Sequence, residues 1–136
     1  MTQKILVVDN EPDICRAIRL VLEHDEFSVI CANSAEEAIE ALSKDTFDAI
    51  LTDLKMRGGL NGMAVLEKAR QLSPQTPVIV MTAYGSYEYA IEATKHGASA
   101  YILKPFLNED VKLTLRRSIE KNRMLLALMK ESMGLG

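Results

Sequence analysis

The sequence predicts an α/β domain of the (βα)5 kind, a doubly wound five-stranded parallel sheet inside a three-layer sandwich. Two observations carry this. Short apolar runs rich in β-branched residues recur at intervals of roughly twenty to thirty residues, continuous rather than alternating, as suits strands buried on both faces. The stretches between them have helical spacing, and strands separated by helices need right-handed crossovers that cover both faces of the sheet.

The elements follow in order. The first run, Ile5–Val8, precedes Pro12, which fits a first-turn position, and then Ile14, Ala17, Ile18, Val21 and Leu22 at i, i+3, i+4, i+7 and i+8. The second, Phe27–Cys31, leads to Ser34 and Glu37, spaced as a capping box ahead of Ala35, Ala38, Ile39 and Leu42. After the third, Ala49–Leu51, a helix ends at Ser73-Pro74. The fourth, Val78–Met81, is followed by a helix closing at His96-Gly97, a basic last turn with a left-handed terminator. The fifth, Ala100–Leu103, is followed by Asn108, read as the N-cap of a helix carrying Val111, Leu115 and Ile119.

Composition narrows the function. A chain of 136 residues with 48% hydrophobic and 26% charged residues suits one globular domain and not a disordered segment. Sixteen basic against nineteen acidic residues leave a net charge of -3, which argues against direct nucleic-acid binding. Cys15 and Cys31 have no CxxC or Cys/His spacing, so neither a zinc site nor a disulfide framework is indicated. No apolar run approaches the ~20 residues of a membrane span. The N-terminus lacks a signal-peptide layout, so a cytoplasmic domain without membrane contact is expected.

In an open parallel sheet, ligands bind beyond the carboxyl ends of the strands, where the strand order reverses. There the chain places Asp9, Asn10 and Glu11 after strand 1, Asn33 and Ser34 after strand 2, Thr52-Asp53 at strand 3, Thr82-Ala83 at strand 4 and Lys104-Pro105 at strand 5. Taken singly, Asp9 fits a turn or cap, Thr82 a strand-end hydroxyl, and Lys104 a solvated lysine. Together they suit a hard cation and a phosphoryl group. Asp9 and Asp53 supply carboxylates, Asn10 a neutral oxygen, Lys104 a point charge and Thr82 a hydroxyl donor. His24 and His96 fall at helix C-terminal ends, where a dipole or solvent role outweighs catalysis. No Ser/His or Cys/His pair is evident, which leaves a carboxylate as the candidate nucleophile. No GxxxxGK[ST] or GxGxxG motif occurs, and Gly58-Gly59 lacks that spacing. The acidic turn after strand 1 would repel the phosphate of a bound flavin.

Four segments in this order resemble the receiver domain of two-component response regulators, over residues 4 to about 122. They are Lys4-Ile-Leu-Val-Val-Asp-Asn-Glu-Pro12, Asp48-Ala-Ile-Leu-Thr-Asp-Leu-Lys-Met56, Val78-Ile-Val-Met-Thr-Ala-Tyr84 and Ala98-x-x-Tyr-x-x-Lys-Pro-Phe106. The resemblance implies a flavodoxin-like, CheY-like fold that is a switch rather than an enzyme, with Asp53 accepting phosphate from a histidine kinase or phosphotransfer protein. It also implies Mg²⁺ held by Asp9, Asn10, Asp53 and the Lys55 carbonyl, Thr82 and Lys104 at the phosphoryl group, and Tyr101 as an aromatic switch. Two departures stand out. Asn10 replaces a second acidic residue, and Met56-Arg57-Gly58-Gly59-Leu60-Asn61-Gly62 is one residue longer than the family loop and lacks its proline. Asn10 supports an alternative, a degenerate receiver acting as a phosphorylation-independent interaction module.

Residues 1–122 are thus expected to form the receiver and 123–136 a C-terminal helix extension or linker start. Leu126, Met129 and Met133 continue the stripe of Ile119, with Asn122 in the same seam. Two heptads leave two readings open, a solvated fraying helix or an extension that forms a homodimer or carries the signal toward an output domain.

Overall fold

The computed structural model describes residues 2–56, 61–83 and 87–134. In chain order its elements are β1 (Lys4–Val8), α1 (Pro12–His24), β2 (Ser28–Ala32), α2 (Ala35–Lys44), β3 (Ala49–Asp53), α3 (Gly62–Leu72), β4 (Val78–Ala83), α4 (Tyr87–Lys95), β5 (Ala100–Lys104) and α5 (Asn108–Ser132). The strands are all parallel, in the order β2-β1-β3-β4-β5. The chain leaves β1 toward β2 and returns to the other side of β1 for β3, so the order reverses between β1 and β3.

The continuous apolar runs are explained by the two cores. Ile5, Val7, Leu51 and Met81 face α1 and α5, packing with Cys15, Ile18, Leu22, Val111 and Leu115. Leu6, Val8, Ile50 and Val80 face the other layer, with Ala35 and Ala38 of α2, Val65 and Leu66 of α3, and Ala93 of α4. Successive strand residues thus alternate between two buried faces, and each large aliphatic side chain removed from water contributes about 1.5–3 kcal/mol.

Local signals place the helix starts. Pro12 is the first residue of α1, and the Ser34 hydroxyl accepts the Glu37 N–H at 3.0 Å. At α5 the structure corrects the expected cap. Leu107 holds the N-cap position and Asn108 is the first helical residue, because the Asp110 carboxylate accepts the Leu107 N–H at 3.2 Å. Gly97 ends α4 with φ 102°. Strands 3, 4 and 5 run one or two residues past the expected ends, so Asp53 and Lys104 are the last residues of their strands and Thr82 the last but one.

The buried contacts of α5 stop at Ile119. Beyond it the helix continues with Leu125, Leu126, Leu128 and Met129 exposed. The two cysteines are free thiols.

Candidate functional site

The carboxyl edge of the sheet collects the charged residues. Asp9 follows β1 at the reversal point and is fully buried. Its carboxylate is satisfied on both sides. Oδ1 accepts the Glu11 N–H at 3.0 Å, and Oδ2 lies 2.7 Å from Lys104 Nζ. The backbone of Asp9 is pinned as well, since its N–H donates to the Ala32 carbonyl and its carbonyl accepts from Asn33 Nδ2 at 3.1 Å. The Cys15 thiol adds a 3.6 Å contact to the same carbonyl.

Asp53 closes β3, beside Met81 in the register, and keeps 8% exposure. Lys104 Nζ stands 3.3 Å from its carboxylate. Burial pushes the Asp53 carboxyl above its ordinary value and the Asp9 charge adds to this, against the pull of Lys104 and of the Lys55 N–H, which donates to the carboxylate. For Lys104, burial acts downward, but its hydrogen bond to Asp9 and the charges of both aspartates outweigh it, so its pKa is raised. One ammonium therefore serves two buried carboxylates, and the site carries an excess negative charge. Asn10 is half-buried next to Asp9. Where the family's second acid would stand the chain has an amide, and no three acidic, His or Cys residues converge among the described residues.

Thr82 is buried on β4, between the β3 strand of Asp53 and the β5 strand of Lys104. In the register it pairs with Leu103, one residue before the lysine. The Lys104–Pro105 peptide is cis. Tyr101, three residues earlier on β5, is 51% exposed and lines a cavity of about 350 Å³ with Tyr87, Ala90 and Ile91 of α4. Lys55 holds its side chain at the surface. Asp9, Asp53, Thr82 and Lys104 are thus brought to one edge, with Asn10 and Lys55 on the loops beside them. His24 and His96 sit where α1 and α4 end, at the opposite edge, since the helices run back against the strands. Arg57 to Leu60 of the longer loop and Tyr84 of the third motif lie outside the described residues.

A reading by strand ends places Asn33 at this edge but not its contact there, and it misses Gly62. Asn33 binds across to the Asp9 carbonyl, a contact between residues 24 apart. Gly62 opens α3 so close to β3 that a Cβ there would meet the Asp53 carbonyl oxygen at 2.1 Å. The family pattern of a glycine after the acceptor loop is the signal that points to it. A second cavity, of about 510 Å³, runs between α1 and the start of α5, lined by Ile14, Ile18, Val21, Phe106 and, at the site end, Lys104.

A family model for the response regulator receiver domain matches residues 5–116. The chain belongs to this family. Receivers are the partners of histidine kinases in two-component signalling and are switches rather than conventional enzymes. Among relatives of this receiver, the transcriptional regulatory protein ZraR of Escherichia coli is 36% identical over 115 residues, spanning 85% of this chain and 26% of its own. The response regulator protein PilR of Pseudomonas aeruginosa is 40% identical over 103 residues, 76% of this chain and 23% of its own. A response regulator receiver domain protein from Clostridium thermocellum superposes with a TM-score of 0.84 at 33% identity, over 90% of this chain and 98% of that one. NtrX from Brucella abortus gives a TM-score of 0.91 at 27% identity, over 96% of this chain and 30% of that one. This receiver spans about a quarter of the length of the curated relatives it matches. No helix among the described residues is long and apolar enough to cross a membrane.

Proposed function

We propose that this receiver accepts a phosphoryl group on Asp53 from a phosphohistidine of a histidine kinase or phosphotransfer protein, and that the modified domain controls an output. One observation carries the reading: a partly accessible carboxylate, a buried one and a single bridging lysine share the strand-reversal edge. An Asp53 oxygen attacks phosphorus, the N–P bond breaks, and its electron pair leaves with the imidazole, which takes up a proton. Lys104 offers its ammonium to one phosphoryl oxygen and Thr82 its hydroxyl to another. Hydrolysis of the acyl phosphate returns Asp53 to a free carboxylate.

The donors fit Mg²⁺. The excess negative charge and the hard oxygens of Asp9, Asp53, Asn10 and the Lys55 carbonyl suit that ion, which would be held by these four. When bound, Mg²⁺ supplies charge neutralisation at the phosphoryl oxygens. The apolar groove beside Lys104 offers an approaching donor protein a surface that adjoins the acceptor. Thr82 drawn toward the phosphoryl group would leave room for the Tyr101 ring to turn inward, coupling the site to the α4–β5 face. The stripe on the free end of α5 suits a second copy of the chain or a route to an output, and the names of ZraR suggest a transcriptional one.

The degenerate-receiver reading draws on Asn10. Beryllofluoride, a phosphoryl stand-in, separates the two. With Mg²⁺ it should move the amide signals of Asp53, Thr82 and Tyr101, and the effect should vanish in Asp53→Ala. A wild-type spectrum unmoved at saturating beryllofluoride and Mg²⁺ would favour the interaction module.

A further inference from the structure

Lys55 faces two ways. Its N–H donates to the Asp53 carboxylate, while its ammonium lies 4.8 Å from the centroid of the Tyr89 ring. Tyr89 belongs to the first turn of α4 and is 44% exposed. One residue therefore joins the acceptor to α4. That helix is lightly seated, for its buried residues are two alanines, Ala90 and Ala93, whereas α1 and α3 bury Ile18, Leu22, Val65 and Leu66. Alanine methyl groups remove little apolar surface from water, so a single added contact is a large share of what holds α4.

We infer that the Lys55–Tyr89 contact is a latch that holds α4 to the loop after β3, and that charge arriving on Asp53 opens it. The inference rests on Asp53 as phosphoryl acceptor. An ammonium over an exposed ring face is held weakly, by the ring quadrupole. A phosphoryl group two residues away presents near-dianionic charge and three acceptor oxygens, and hydrogen bonds between ions are about twice as strong as neutral ones. The flexible lysine stem lets the ammonium leave the ring for the oxygens while the backbone stays in place. Tyr89 is then freed, and α4 loses this tie to the loop after β3. Tyr89 acts here as a positioning residue, withholding a second cation from the acceptor until charge is present.

The test follows the Lys55 ε-methylene protons by NMR. The ring should shift them upfield in the wild type and in Tyr89→Phe, but not in Tyr89→Leu. Saturating beryllofluoride with Mg²⁺ should abolish the shift in the wild type. Tyr89→Leu should also bind beryllofluoride about two- to fivefold more tightly, because opening the contact no longer opposes binding. In a Lys55→Gln background the same Tyr89→Leu change should have no effect. If the Asp53 and Thr82 signals move while Lys55 stays upfield, the latch does not open and the inference is wrong. An equal effect of Tyr89→Leu in both backgrounds would overturn it too. If no signal at Asp53 or Thr82 responds, the acceptor reading itself fails and takes the trigger of the latch with it.

Discussion

Lys104 Nζ stands 3.3 Å from the Asp53 carboxylate, on the neighbouring side of the buried Thr82 strand. The same ammonium is closer still to Asp9, at 2.7 Å. Two carboxylates thus compete for one cation in a place with little water. Removing Lys104 leaves both without their charged partner. Lys104→Ala should lower stability at pH 7 by roughly 2–3 kcal/mol, less than for a fully enclosed pair because the lysine side chain keeps 21% exposure. Adding Mg²⁺ should raise the melting temperature of this variant more than that of the wild type, since the ion replaces the lost charge. Equal Mg²⁺ responses in scanning calorimetry would contradict this.

Asp53 gives a pH signature of its own. Its folded-state pKa is raised above the ordinary value near 3.8, with burial the leading cause. Protonation is therefore easier in the folded state, and the contribution of Asp53 is most favourable below pH ~3.8 and is lost as pH rises through the raised pKa. Asp53→Asn removes the penalty. The variant should melt higher at pH 7, by on the order of 1 kcal/mol or about 3–5 °C, and the gap should close in acid. A lower melting temperature for Asp53→Asn at pH 7 would show that the lysine contact outweighs burial.

Asn10 sets the metal response. Two carboxylates ~4 Å apart repel by roughly 4 kcal/mol at an effective dielectric near 20, and a third would add to that strain. Asn10→Asp should bind Mg²⁺ more tightly and melt lower without metal. Glu11 at the N-cap of α1 already interacts with the helix dipole, so it is a weak substitute. Equal Mg²⁺ affinity of the two proteins would mean that position 10 is not a ligand.

Gly62 holds the acceptor strand from behind. A methyl group there would lie 2.1 Å from the Asp53 carbonyl oxygen and 2.7 Å from Leu54 Cα, both backbone atoms that cannot swing away. Gly62 also donates its N–H to the Leu54 carbonyl at 3.0 Å. Gly62→Ala should cost about 2–3 kcal/mol in urea unfolding, the range of overpacking, even though alanine favours helices. A neutral effect would mean that α3 can slide away from β3 at no cost.

Asp9, Asp53, Thr82 and Lys104 were legible in the sequence because each follows or ends an apolar run, and a parallel sheet delivers all such positions to one edge. The core was legible for a related reason, as short continuous β-branched runs such as Ile5–Val8 suit strands with two covered faces. What the sequence did not reveal depends on distance between segments. Asn33 reaches the Asp9 carbonyl, and Lys55 meets Tyr89, across loops whose mutual placement no local pattern encodes. The cap of α5 falls one residue before Asn108 because Asp110, three positions past Leu107, decides where the first turn begins.

The most direct measurement of the central claim is the intact mass of the protein after treatment with acetyl phosphate and Mg²⁺. The account predicts one added phosphoryl group on the wild type, lost when Mg²⁺ is chelated beforehand and absent from Asp53→Ala. Undiminished labelling of Asp53→Ala, or no labelling of the wild type at all, would contradict the assignment of Asp53 as acceptor.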